Sequence, residues 1–195
     1  PGGHSYGAFG LPSPIHAMGR AIEKISRFEV PKQPKTTFNV GKIEGGTSVN
    51  SIAHTSWMEV DMRSVNAAEL DKLEAQFKRA VQQAVDEENR ARPHQVPITV
   101  ELKIVSQRPA GVQSPDSAIV KTALAAGASL GFTPKLGASS TDSNIPISLN
   151  IPAITIDGGG DGKGAHSLDE FFDTTNSHLG TQWALLIALG IVGVK

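Results

Sequence analysis

Residues 158–172, GGGDGKGAHSLDEFF, set a glycine loop directly before a histidine that two acids follow. Such a stretch suits a phosphate cradle, a metal ligand carried on a loop, or a sharp turn after a strand. The cradle fails on spacing. A P-loop needs four residues between its first glycine and the Gly-Lys pair, then Ser or Thr. Here Asp157 stands where that glycine belongs, and Gly164 follows Gly162-Lys163. The loop also runs into AHSLDE, with no evident helix whose amides would bind phosphate. His166 then has two readings, a hydrogen-bonded surface residue or a ligand. Its place beyond an apolar segment, where α/β sheets put their ligands, favours the second. Neutral imidazole is a common zinc ligand. Asp169 or Glu170 could orient its other ring nitrogen, or simply be solvated acids.

His4 is the second candidate, on the glycine turn PGGHS near the start. A glycine pair needs a backbone reason, usually a tight turn leaving a strand, so a strand is expected before Pro1. His16 and His54 fall in a helix and at a strand edge and receive no role. His94 lies in a polar loop, and His178 is structural in the first turn of the last helix. GASSTDSN contains no G-x-S-x-G elbow, so a turn and helix cap is expected there, with Asp142 and Ser143 near a site as a weaker option.

The elements that must hold these residues are legible from periodicity. Ser13 and Pro14 form a helix start, followed by Ile15, Met18, Ile22 and Ile25 at helical spacing. Two strand-like runs, TTFNVGKIE and AHTSWMEVDMRS, flank the turn GGTSVN, and Met58, Val60 and Met62 alternate with polar neighbours. Asn66 and Glu69 open a long helix with Leu70, Leu73, Phe77, Val81 and Val85 as its stripe. PITVELKIV alternates cleanly and predicts another strand. With a strand before Pro1, the first half would be a βαββαβ unit.

Composition shifts after SQRPAGVQSPDS, which predicts domains at 1–112 and 113–195. The second part reads as a helix over 116–130, a strand IPAITI, the glycine loop and an apolar final helix. That pattern suits the closing part of a larger α/β domain.

With 195 residues and a net charge of −1, the chain lacks the basic face of a nucleic-acid binder. No apolar run approaches the length of a membrane span, so no membrane partner is expected. PGGHSYGAFG lacks the regions of a signal peptide. The absence of cysteine removes thiol chemistry and disulfides, compatible with a cytoplasmic home. Any metal must be held by His, Asp or Glu.

Together the segments resemble the M20 family of dinuclear zinc metallopeptidases and amidohydrolases. GGHSYGAFGLPSPIHAMGRAI is similar to the start of that family's lid, or dimerisation, domain, with His16-Ala17 where many members have Asn-Ala. GKIEGGTSVNSIAHTSWMEVDMRS is similar to its G…G…N-x-I-P…D-x-R segment, with Ala53 in place of proline. GASSTDSNIPISLNIPAITIDGGGDGKGAHSLDEFFD resembles the close of its catalytic domain. The three lie in the family's order and cover nearly the whole chain.

The resemblance implies an α+β / α/β chain: a ferredoxin-like βαββαβ lid lacking its first strand, then the C-terminal part of a zinc-peptidase-like α/β domain. It implies His166 as a zinc ligand and His4 as the lid histidine that reaches a neighbouring subunit's site. It implies Asn50 and Arg63 as substrate-binding residues, Arg63 suiting a carboxylate. An ion pair of Arg63 with Asp61 or Glu59 is the plain alternative. The implied partners are a peptide or N-acyl amino acid substrate, the N-terminal half of the same enzyme, and a second copy bound through the lid. The implied mechanism uses a water activated by two zinc ions and a glutamate base. The family's other ligands and that base precede the lid, outside this sequence, so this chain alone is expected to be inactive. Two rivals are a non-catalytic dimerisation or interaction module and a small-ligand regulatory domain.

Overall fold

The computed structural model describes residues 1–193. The chain forms two compact units, Pro1–Gln107 and Arg108–Lys195. It is mixed α+β with small sheets, the class the sequence predicts.

In the first unit, helix α1 (Pro14–Ser26) begins at the expected Ser13-Pro14 and helix α2 (Ala67–Ala91) begins after Asn66. The Asn66 side chain accepts the Glu69 N–H at 3.2 Å, satisfying a donor the helix cannot use itself. The chain start contributes a short strand, β1 (Gly3–His4). Strands β2 (Thr36–Gly45) and β4 (Ser56–Ser64) form an antiparallel hairpin, with β3 (Ser51–Ile52) in the turn between them.

The hairpin register shifts between Val40 and Lys42, leaving Gly41 as the extra residue of a bulge. One hairpin face, through Phe38, Val40 and Met58, packs on a helical core of Ala21, Ile25, Val81 and Ala84. The other carries Thr37, Asn39, Lys42 and Glu44 opposite Arg63, Asp61, Glu59 and Trp57.

The first notable contact between α1 and α2 is polar. Glu88 is fully buried, and its carboxylate accepts the Ser13 N–H at 3.0 Å and Arg92 Nη1 at 2.8 and 2.9 Å. Arg20 Nε donates to it at 3.3 Å, and His16 Nδ1 lies 3.5 Å away.

PITVELKIV is not a strand here: residues 97–105 belong to no β-ladder. The alternation is real, since Ile98 is 8% exposed and packs with Ala17 and Val85. The Asn89 side chain bonds both the N–H and the C=O of Ile98 at 2.9 Å. Alternation encodes faces, whereas a strand also needs a neighbour's backbone. Among the described residues none is offered, and exposure climbs to 70% at Ile104.

The second unit packs helix α3 (Ala118–Ser129) on helix α5 (His178–Val192). Ala123, Ala126, Trp183 and Ile187 form its core. The Trp183 indole donates to the Ala123 carbonyl at 2.8 Å and meets Phe132 edge-on. IPAITI also lacks a ladder, although Ile154 and Ile156 pack on this helical pair. The short helix α4 (Asn144–Ser148) follows the predicted turn.

The glycine loop enters a small hairpin of β5 (Asp161–Lys163) and β6 (Phe171–Asp173). Its glycines serve contact. A Cβ on Gly180, in the first turn of α5, would sit 2.1 Å from the Gly158 carbonyl carbon. Backbone meets backbone there, and no rotamer change can relieve it. Gly180→Ala is expected to destabilise this unit by about 2–3 kcal/mol. Urea unfolding followed at the Trp183 indole resonance measures the loss.

Candidate functional site

The first unit holds an open cleft of about 440 Å³ at the turn end of the β2–β4 hairpin. Its lining includes His4, Glu44, Asn50, His54 and Trp57. The volume lies within the range of small-molecule sites.

The sequence builds this cleft through a two-residue ladder. His4 pairs with Ser51 and Gly3 with Ile52, and the Ser5 N–H donates to the Asn50 carbonyl at 2.8 Å. These bonds bring the chain start against the turn, so His4 and Asn50 line one cleft. Gly2 explains the glycine pair. Its φ is +73°, and a Cβ there would lie 3.0 Å from the His54 ring. Only glycine suits both the left-handed backbone and that approach.

The His4 ring is oriented by its own turn. The N–H groups of Tyr6 and Gly7 donate to His4 Nδ1 at 3.3 and 3.4 Å. An accepting Nδ1 carries no proton in neutral imidazole, so the hydrogen-bond network assigns it to Nε2. Nε2–H is thereby a donor for an oxygen. The Ser48 hydroxyl donates to Asn50 Oδ1, which leaves the amide NH₂ of Asn50 as its remaining donor group.

Arg63 is not in this cleft. It shares the outer face of β4 with Trp57, but six residues further along, about 20 Å at strand rise. Its Nε donates to Asp61 Oδ2 at 2.7 Å, the ion pair foreseen as its plain alternative. Sequence reasoning assigned His54 nothing. The signal available was its position within the turn-proximal strand edge, and only the fold shows it over Gly2.

His166 lies in the second unit, exposed, in the turn after β5. Its φ is +64°, in the left-handed region, which is uncommon for a side-chain-bearing residue. Its N–H donates to Glu170 Oε2 at 3.1 Å, and the Ser167 N–H donates to the Gly164 carbonyl at 2.8 Å. Glu170 thus holds the backbone of His166, not its ring. Among the described residues, no three His, Asp or Glu side chains are grouped so as to hold a metal ion. The residues of this chain therefore do not by themselves fit a zinc centre.

Residues 2–89 match the family described as the peptidase dimerisation domain, M20_dimer. The fold is shared with solved structures along 98% of the chain. An aminopeptidase PepT from Bacillus cereus is 20% identical, with a TM-score of 0.65 and 49% of its length covered. A tripeptidase from Staphylococcus aureus is 21% identical, with a TM-score of 0.70 and 48% covered. AtUAH in complex with glyoxylate is 18% identical, with a TM-score of 0.63 and 45% covered. Comparison with curated proteins found no match. Residues 2–89 thus match the M20 peptidase dimerisation domain, and the chain as a whole shares the fold of these peptidase structures. It spans about half the length of these structures. No helix among the described residues is long and apolar enough to cross a membrane.

Proposed function

We propose that this chain is the C-terminal part of an M20-type metal-dependent enzyme that hydrolyses a peptide or N-acyl amino acid amide. Residues 1–112 would serve as its lid and 113–195 as the close of its catalytic domain. The observation that carries this reading is His4, whose Nε2–H is set by backbone donors inside an open cleft of the dimerisation domain.

In this reading His4 donates to the amide oxygen as negative charge develops there, from the lid of one copy into the site of another. The Asn50 amide holds the substrate beside it. Arg63 binds a carboxylate further along the strand, exchanging its Asp61 partner for the substrate. His166 is one ligand of a zinc centre whose other ligands come from the N-terminal region, and zinc supplies Lewis-acid chemistry there when bound. A cytoplasmic homodimer suits this arrangement.

The test combines this chain with the polypeptide that supplies the remaining ligands. Metal content by mass spectrometry and hydrolysis of tripeptides and N-acyl amino acids are then measured. Zinc uptake and hydrolysis are expected only in the assembled sample, with uptake reduced by at least tenfold in His166→Ala. Hydrolysis by the chain alone, or uptake indifferent to His166, overturns the proposal. The match to a dimerisation domain favours one second reading, a non-catalytic dimer module. Stable dimers without metal uptake in the assembled sample would support it.

A further inference from the structure

The outer face of the β2–β4 hairpin is a series of charged pairs with one left open. Lys42 Nζ lies 3.3 Å from Glu59, and Arg63 Nε lies 2.7 Å from Asp61. Each of those carboxylates therefore has its cation. Glu44 has neither an ion pair nor a side-chain hydrogen bond among the described residues. Its cross-strand neighbour is Trp57. Directly opposed side chains on one face have Cβ atoms about 5 Å apart. Trp57 is 45% exposed, the large aromatic of an otherwise polar face. Both residues line the cleft that holds His4 and Asn50.

A carboxylate beside an indole face is a receptor for an organic cation. The carboxylate supplies charge and hydrogen-bond acceptors, and the indole supplies its negative quadrupole and apolar contact. Neither attracts an anion. The other titratable groups lining the cleft are His4 and His54.

We infer that Glu44 and Trp57 form a cation subsite, so that the cleft selects amides bearing an ammonium or guanidinium group. The inference rests on reading this cleft as the substrate cleft and adds the class of substrate it takes. The cation has two sources, the free α-amino group of a peptide or a basic side chain, and the recognising chemistry is the same for both.

Three ligands separate these sources. Nα-acetyl-argininamide carries only the side-chain cation, citrullinamide only the α-ammonium, and Nα-acetyl-citrullinamide is neutral with nearly the same shape. Each is titrated into the full chain while the Trp57 indole N–H resonance is followed, with Trp183 in the same sample as control. At least one cationic amide is expected to bind about tenfold more tightly than the neutral one. Glu44→Gln should erase that preference. Trp57→Leu should weaken the cationic amide several-fold, and Trp57→Phe should retain most of the preference.

Equal affinity for all three amides, a preference that survives Glu44→Gln, or no binding at all overturns the inference. His4→Ala separates this failure from failure of the functional reading. If the three amides bind equally and all weaken in His4→Ala, the cleft remains a substrate cleft without a cation subsite. If His4→Ala leaves every affinity unchanged, the reading of His4 as a substrate contact fails with it.

Discussion

Glu88→Ala is expected to lower the stability of the first unit by about 3 kcal/mol at neutral pH, the low end for breaking a buried charge network. The carboxylate joins the start of α1 to the end of α2. Ser13 makes no side-chain cap, and its N–H is satisfied by Glu88 instead. A capping box uses a glutamate at the third helical position for this bond. His16 occupies that position here, and the glutamate comes from the other helix. Alanine would leave a buried N–H without an acceptor and remove a negative charge from the positive end of α1. Arg20 and Arg92 can turn toward solvent, which keeps the cost from rising further.

The pH dependence follows from the same contacts. Burial pushes the Glu88 carboxyl up, but the Ser13 N–H, Arg92, Arg20 and His16 together hold it below the usual range. A lowered folded value means that the unfolded state binds the proton more readily. The stabilisation is therefore fully present above about pH 4.3, the ordinary glutamate value, and is lost as pH falls through the lower folded value. Urea titrations from pH 7 to pH 3 read this at the Trp57 resonance. Glu88→Gln should lose less than alanine at pH 7 and flatten the acid limb. A wild-type midpoint in Glu88→Ala, or an acid limb in Glu88→Gln as steep as that of the wild type, would contradict the assignment; the Lys24–Glu87 pair leaves a smaller limb of its own. Trp183 reports on the other unit and should not move.

Local chemistry made much of this fold legible. Ser13-Pro14 and Asn66–Glu69 declare helix starts in two and four residues, and both helices begin where these signals stand. Met58 and Val60 declare a face, and Met58 packs half-buried on the helical core. What stayed hidden depends on partners distant in sequence. Nothing in PITVELKIV tells whether another backbone lies alongside it. Glu88 sits in the polar run DEENR, where solvated acids are the ordinary expectation, yet it has no exposure. Gly158 and Gly180 are separated by 22 positions, and only their contact explains the loop.

The site divides in the same way. His4 was a candidate from its glycine turn and Asn50 from a resemblance, and a two-residue ladder too short to read from sequence places them together. Arg63 carries the right chemistry but stands far along the strand. Its place on the same strand face as Trp57 was readable, but not the distance from the turn at which the cleft would form. Glu44 and His54 were passed over because each is unremarkable until the hairpin register sets it at the cleft.

In an assembled enzyme containing this chain, His4→Ala is expected to lower kcat by about 10²–10³-fold, the usual cost of removing one donor to a developing oxyanion. The Tyr6 and Gly7 N–H groups set Nδ1 as the acceptor, which in the proposed reading leaves Nε2–H as the donor to the substrate oxygen. A donor that meets more charge in the transition state than in bound substrate changes kcat more than KM. The ring also ties down its own turn, so a structural role must be distinguished. Loss of that tie alone would loosen the β1–β3 ladder, accelerating amide exchange at Ser5 and raising KM through displacement of Asn50. A KM-dominated defect with faster exchange would therefore assign His4 to the turn. A kcat-dominated defect with the ladder intact would assign it to the substrate oxygen.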